Sequence, residues 1–180
     1  MKLEKNSIYM VDDFLNGEEI DIVENYFKGD VWGFGHCTDH GDKRLFKSKW
    51  FSSYLKNNTY FCEHLLEKIE RITGHKWEPI EIYANGQTIL NGSDWHVDEY
   101  NRHSDPIYFT ALLYISDINK SNIDIINGHF NYKINDKILS IEPFKNRMIF
   151  FDSTILHRGN APTVPGFLRI SIAWKLRKIT

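Results

Sequence analysis

Eight histidines stand among the 180 residues, and three of them open a His-X-Asp pair: His40/Asp42, His96/Asp98 and His103/Asp105. An imidazole and a carboxylate two residues apart lie on the same side of a strand, so both can reach one metal ion. With a second histidine from elsewhere they make a 2-His-1-carboxylate triad, which suits non-haem Fe(II) and leaves coordination positions open. The spacing alone is weak, because short motifs recur by chance. Context separates the three pairs. His40/Asp42 sits in the Gly-bracketed polar run Gly35-His-Cys-Thr-Asp-His-Gly-Asp42, a poor scaffold for a rigid metal geometry. His103/Asp105 runs into Pro106 and reads as a turn. His96/Asp98 alternates with Trp95 and Val97, as at a strand end with His96 and Asp98 inward and Trp95 and Val97 outward. It is the favoured pair. His36, Cys37 and His40 have a zinc-like look, but no second Cys/His pair follows at metal spacing.

The remaining histidine must come from downstream, from His129 or His157. His157 follows the apolar run Met148–Phe151 and precedes, by ten residues, Phe167-Leu-Arg-Ile-Ser-Ile-Ala-Trp174. An arginine inside an apolar strand is costly unless an anion pairs with it. Arg169 and Ser171 share one face, while Ile170, Ile172 and Trp174 take the other. A guanidinium and a hydroxyl on one wall make a carboxylate clamp.

The elements that must position these residues divide the chain in two. Asn16 and Glu19 form a capping-box signal ahead of Ile20, Val23, Tyr26 and Phe27. A second helix opens at Asn58 or Thr59, carries Phe61, Cys62, Leu65, Leu66, Ile69 and Ile72, and closes at Gly74. Beyond Gly74, β-branched and aromatic runs alternate with turn residues. They predict strands near 79–84, 87–90, 94–98, 107–116, 123–126, 129–134, 137–141, 147–151 and 167–176. Many short strands preceded by helices indicate a mainly β, α+β fold, a sandwich or barrel with flanking helices. The expected organisation is a single domain over 1–180, with helical support over about 1–78 and a strand core over about 79–176.

His96-Val-Asp98, His157 and Arg169-Ile-Ser171 together resemble the Fe(II)/2-oxoglutarate-dependent dioxygenases, particularly their prolyl-4-hydroxylase-like branch. The resemblance extends over most of the chain. It takes in Val11-Asp-Asp-Phe-Leu-Asn-Gly-Glu-Glu19, Tyr83-Ala-Asn-Gly-Gln87, Thr110-Ala-Leu-Leu-Tyr-Ile-Ser116 and the run from Phe150 into His157. It implies a double-stranded β-helix, or jelly-roll, core. It implies Fe(II) held by His96, Asp98 and His157, the catalytic centre. It also implies 2-oxoglutarate bound through Arg169 and Ser171, with Tyr83 and Tyr114 as further hydrogen-bonding residues. The expected reaction consumes O2, releases succinate and CO2, and hydroxylates a C–H position, foremost a peptidyl prolyl residue. Arg169 stands where collagen-type prolyl hydroxylases usually carry Lys, and Asn127-Gly128-His129 has one Gly where the family commonly has two. The alternatives are therefore a hydroxylase of a free amino acid or small metabolite, and a non-catalytic jelly-roll binding module. Loops at 33–49, 85–94 and 99–107 are the candidate substrate gates.

Charge and composition narrow the partners. Lys and Arg number 22 against 24 Asp and Glu, a net charge of −2, which provides no field to attract nucleic acid. The nucleic-acid demethylase branch would also carry a second Arg at Trp174-Lys175. No apolar run approaches a membrane span and no signal-peptide pattern opens the chain. Two cysteines, Cys37 and Cys62, are too few for a disulfide scaffold. A cytoplasmic enzyme acting on a peptide or small molecule, with no nucleic acid or membrane partner, is the expectation; the oligomeric state stays open.

Overall fold

The computed structural model describes residues 4–37, 48–99 and 107–179. Among the described residues ten strands form two antiparallel sheets. The larger sheet has the order β1-β8-β5-β10-β4-β3-β2, built from β1 (Ile8–Val11), β2 (Gly33–His36), β3 (Trp50–Tyr54), β4 (Trp77–Gln87), β5 (Tyr108–Tyr114), β8 (Met148–Asp152) and β10 (Arg169–Lys178). The smaller has the order β7-β6-β9, from β6 (Phe130–Ile134), β7 (Lys137–Ile141) and β9 (His157–Gly159). A bridge between His96 and His157 adds a fourth segment beside β9.

Alternation along β10 decides which face does what. Ile172, Trp174 and Leu176 turn into the main core, where Ile82 and Ala84 of β4 and Ala111 and Leu113 of β5 join them. Helix α1 (Gly17–Phe27) and helix α2 (Leu65–Thr73) cover this face with Val23, Phe27, Leu65, Leu66 and Ile69. The Trp174 indole N–H donates to the Phe61 carbonyl (3.0 Å), so even the largest core side chain has its polar atom satisfied. On the other face, Tyr114, Ile149 and Phe151 meet Phe130, Ile141 and Ile155 from the smaller-sheet side. That apolar plug closes one part of the space between the sheets. The rest is a cavity lined by polar side chains together with apolar ones such as Leu112 and Ala173.

Both predicted helix boundaries appear. The Asn16 side chain accepts from Glu19 N–H (2.9 Å) while the Glu19 carboxylate accepts from Asn16 N–H (2.8 Å). Gly74 closes α2 in the left-handed conformation, φ 72°. A short π-helix, Tyr60–His64, precedes α2.

The structure departs from the strand expectations at several points. The first 78 residues are not helical support alone, since they supply β1, β2 and β3 to the larger sheet. These strands are short, and β2 is a Gly-rich edge, so no periodicity announces them. The segment 123–126 is one turn of helix, α3 (Ile123–Ile126), because burying Ile123 and Ile126 against Ile118 outweighs the strand preference of isoleucine. Residues 87–90 leave the sheet after Gln87, with Leu90 at φ 68°. Residues 94–98 hold only the one bridge at His96, and Val97, placed outward by strict alternation, is buried.

Candidate active site

The cavity between the sheets has a volume of about 250 Å³ and is lined by side chains of β4, β5, β9 and β10, with Ser93, His96 and Asp98 from the segment before β5. The pairing of β4 and β10 lays out its long wall. Arg169 faces Gln87, Ser171 faces Asn85, Ala173 faces Tyr83 and Lys175 faces Glu81. Across β10 from β4, Ser171 pairs with Tyr114. One end of the wall is thus Arg169, Ser171 and Tyr114, and the other is Lys175, Glu81 and Tyr83.

His96, Asp98 and His157 converge, with one ligand atom from each within 4.8 Å of the others. The Asp98 carboxylate lies 3.8 Å from Nε2 of each histidine. Each ring places Nδ1 against a main-chain carbonyl two residues upstream, His96 on Asp94 (2.8 Å) and His157 on Ile155 (2.9 Å). A carbonyl only accepts, so Nδ1 carries the proton and Nε2 keeps its lone pair, the tautomer a metal ligand requires. Burial, then the neighbouring His157, pushes the His96 imidazolium down to about 4, keeping the ring neutral. Burial alone would raise the Asp98 carboxyl, but His157, Lys175, His96 and the Thr110 hydroxyl hold it below the usual carboxylate range. Thr110 Oγ1 donates to Asp98 Oδ2 (2.7 Å) and also meets Ser153 Oγ (3.0 Å). The Ser153 carbonyl accepts from the Asp98 and Glu99 N–H groups. The carboxylate is therefore oriented before any ion arrives.

Arg169 is 3% exposed. Its Nη1 donates to the Gly128 carbonyl (3.2 Å), while its Nε is buried without a well-formed hydrogen bond and the buried Tyr114 hydroxyl has the guanidinium as its polar neighbour. No carboxylate lies in ion-pair range of it among the described residues. The guanidinium stacks 5.6 Å from the Tyr114 ring centroid. A buried cation of this kind calls for an anion. The single glycine of Asn127-Gly128-His129 is accounted for here: at φ 91° a Cβ at Gly128 would stand 2.8 Å from Arg169 Cδ, and one at Gly159 2.8 Å from its Nη2.

At the opposite end Lys175 Nζ stands 3.2 Å from Glu81 and 3.6 Å from Asp98 Oδ1, and 5.5 Å from the Tyr83 ring centroid. Burial opposes its charge, yet Tyr83, Asp98 and Glu81 together raise its pKa. Tyr83 belongs with this group, not with Arg169. His36 lines the cavity between Trp50, which it meets edge-on (5.5 Å), and Tyr83, to which it is tilted (5.4 Å).

The structure brings together His96, Asp98, His157, Arg169, Ser171, Tyr83 and Tyr114 around one cavity. His129 does not join; its Nδ1 meets Asn127 Oδ1 (2.7 Å). The pairs His40/Asp42 and His103/Asp105 lie outside the described residues, as do parts of the loops 33–49 and 99–107. Thr110, Asn85, Gln87 and Lys175 line the same cavity and Ser153 backs it, none of them assigned to the site by sequence reasoning. Thr110 and Lys175 are findable in hindsight as polar residues on the inward face of apolar strands.

No protein-family profile matches the sequence, and no curated protein is similar to it at the sequence level. Solved structures are similar in fold. A 2OG-Fe(II) oxygenase family oxidoreductase from Burkholderia pseudomallei superposes with a TM-score of 0.69 at 10% identity, over 94% of this chain and 84% of that one. A prolyl hydroxylase from Trichoplax adhaerens, in complex with a hypoxia inducible factor oxygen degradation domain peptide fragment, gives 0.64 at 17% identity over 97% and 84%. The non-haem alpha-ketoglutarate-dependent carbocyclase SnoK of nogalamycin biosynthesis gives 0.65 at 10% identity over 96% and 80%. The fold is the jelly roll shared with 2OG-Fe(II) oxygenases, prolyl hydroxylases among them.

Proposed function

We propose that this chain is a non-haem Fe(II) and 2-oxoglutarate-dependent oxygenase that hydroxylates a C–H position of a peptidyl prolyl residue. The carrying observation is a convergence. A His-Asp-His donor set with both Nε2 atoms unprotonated and a buried guanidinium without an acidic partner share one cavity. The residues fit both groups. His96, Asp98 and His157 would hold Fe(II), and Arg169 with Ser171 and Tyr114 would hold the distal carboxylate of 2-oxoglutarate. Bound there, Fe(II) with 2-oxoglutarate and O2 supplies the oxidising power for hydroxylation, the cosubstrate ending as succinate and CO2.

The chain's own contribution is position and exclusion. Thr110 and Ser153 fix the Asp98 carboxylate, the two carbonyls fix the histidine tautomers, and Phe130 and Phe151 pack against the His157 ring at 5.3 and 4.8 Å. These apolar walls keep water from the metal side of the cavity. Fold similarity to a peptide-bound prolyl hydroxylase supports the peptidyl substrate. One observation favours a second reading. The Lys175–Glu81 ion pair faces the same cavity and suits the opposite charges of a free amino acid or small charged metabolite.

The test is anaerobic titration with Fe(II) and 2-oxoglutarate. A visible metal-to-ligand charge-transfer band is expected, and its absence at saturating ligand overturns the reading. His96→Ala and Asp98→Ala remove the band, whereas His40→Ala and His103→Ala leave it. Succinate release against prolyl peptides and free amino acids then separates the two substrate classes, and release with neither leaves a binding module as the surviving alternative.

A further inference from the structure

The segments that present His96 and His157 to the cavity carry a second constellation on their other face. The two histidines form an isolated antiparallel bridge, closed by His96 N–H to the His157 carbonyl (2.9 Å) and His157 N–H to the His96 carbonyl (2.8 Å). One step along that bridge Trp95 opposes Arg158, and side-chain alternation turns both away from the metal side. The Arg158 guanidinium stands 4.8 Å from the Trp95 ring centroid. Lys133 Nζ, reaching over from β6, stands 4.7 Å from the same centroid. The Arg158 Nε is buried and makes no hydrogen bond, while the guanidinium carbon lies over the Trp95 ring. Three adjacent strand segments are thus tied together behind the site by two cations on one indole.

We infer that Trp95, Arg158 and Lys133 form a cation–π clamp that sets the register and spacing of His96 and His157, making Trp95 and Arg158 positioning residues for the metal centre. The inference rests on reading these histidines as metal ligands. At the bridge itself two hydrogen bonds set the register, the next lying at Ser93–Gly159 and Asp98–Ser153, and the rings stand 4.2 Å apart, centroid to centroid. Asp98 is anchored separately through Ser153 and Thr110, and Ser93 meets Gly159 (2.7 Å) on the far side of Trp95. The clamp acts between these anchors, on the opposite face of the His96–His157 bridge from the metal side.

The experiment measures amide hydrogen exchange at His96 and His157, and Mn(II) binding by electron paramagnetic resonance, in the full chain. Trp95→Leu keeps apolar bulk but removes the π face, and Arg158→Gln keeps length but removes the charge. Each should speed exchange at both amides and weaken Mn(II) binding by roughly fivefold to tenfold. Trp95→Phe and Arg158→Lys should restore most of both. The double variant should be no worse than the poorer single one, because the two residues act as one unit. Unchanged exchange at both amides in Trp95→Leu and Arg158→Gln, or losses that simply add, would overturn the clamp. Should Trp95→Leu fail to fold, Arg158→Gln and Lys133→Gln carry the same comparison. A wild-type chain that binds no Mn(II) refutes the metal reading, and the amide exchange still decides the clamp.

Discussion

Gly128 and Gly159 are what allow a guanidinium to lie buried at position 169. A side chain at either would occupy the space that Arg169 fills. Position 159 is the cleaner probe, since Gly128 also needs its positive φ. Gly159→Ala should push the flexible end of Arg169 aside and leave the fold nearly intact. Calorimetry should then show 2-oxoglutarate affinity lowered by about tenfold, the loss of one charge-assisted hydrogen bond, with Mn(II) affinity unchanged. Equal losses of both would place Gly159 in the metal site instead. The same scale explains why one His-X-Asp pair matters. His96 and Asp98 differ from a chance pair through what surrounds them: the Asp94 carbonyl on Nδ1 and the Thr110 hydroxyl on Oδ2.

Helices α1 and α2 serve the site at one remove, as the backing of the larger sheet. Their junction is a buried carboxylate. Glu19 is 7% exposed, closes the α1 capping box and pairs with Lys68 and His64 across the helix interface. Burial by itself would raise the Glu19 pKa, but Lys68, the Asn16 N–H and His64 bring it below the ordinary value. A carboxyl depressed in the folded state stabilises the protein above its unfolded pKa, and that stability is lost as pH falls through the folded pKa. Acid unfolding followed by circular dichroism should therefore begin at lower stability in Glu19→Gln. Urea titration at pH 7 should show about 1–2 kcal/mol lost in that variant, the cost of leaving Lys68 without its carboxylate, since glutamine still accepts from the Asn16 N–H. The difference between variant and wild type should shrink as pH falls below the ordinary carboxyl pKa, and it should level off once pH has passed the lower folded value, where Glu19 is protonated in both states of the wild type. A constant difference across pH would exclude this role.

Across the whole molecule, the proposed metal site ties the two sheets together. Asp98 is held by Thr110 of the larger sheet, and His157 lies in the smaller one. A ligand that binds only the folded state raises its stability by mass action, about 2.7 kcal/mol at a hundred times the dissociation constant. Mn(II) or Co(II) should accordingly raise the melting temperature by several degrees, and a chelator should reverse the shift. Asp98→Ala should melt at one temperature with or without metal. No described helix is long and apolar enough to cross a membrane.

The amino-acid sequence by itself determined the α1 cap, the Gly74 stop, the inward and outward faces of β10, and the two-residue spacing of His96 and Asp98. Each is a local pattern, because capping, strand alternation and two-residue spacing act within a few residues of one another. Tertiary structure alone decided the rest. Isoleucines at 123–126 became a helical turn because burial outweighed propensity. Tyr83 came to Lys175 and Tyr114 to Arg169 through strand register, which depends on residues more than fifty positions apart. Trp95, unremarkable in the sequence, gained Arg158 and Lys133 only when three segments were laid side by side. Non-local pairing brings groups within interaction distance that no sequence window contains, and chemistry at a site depends on that distance.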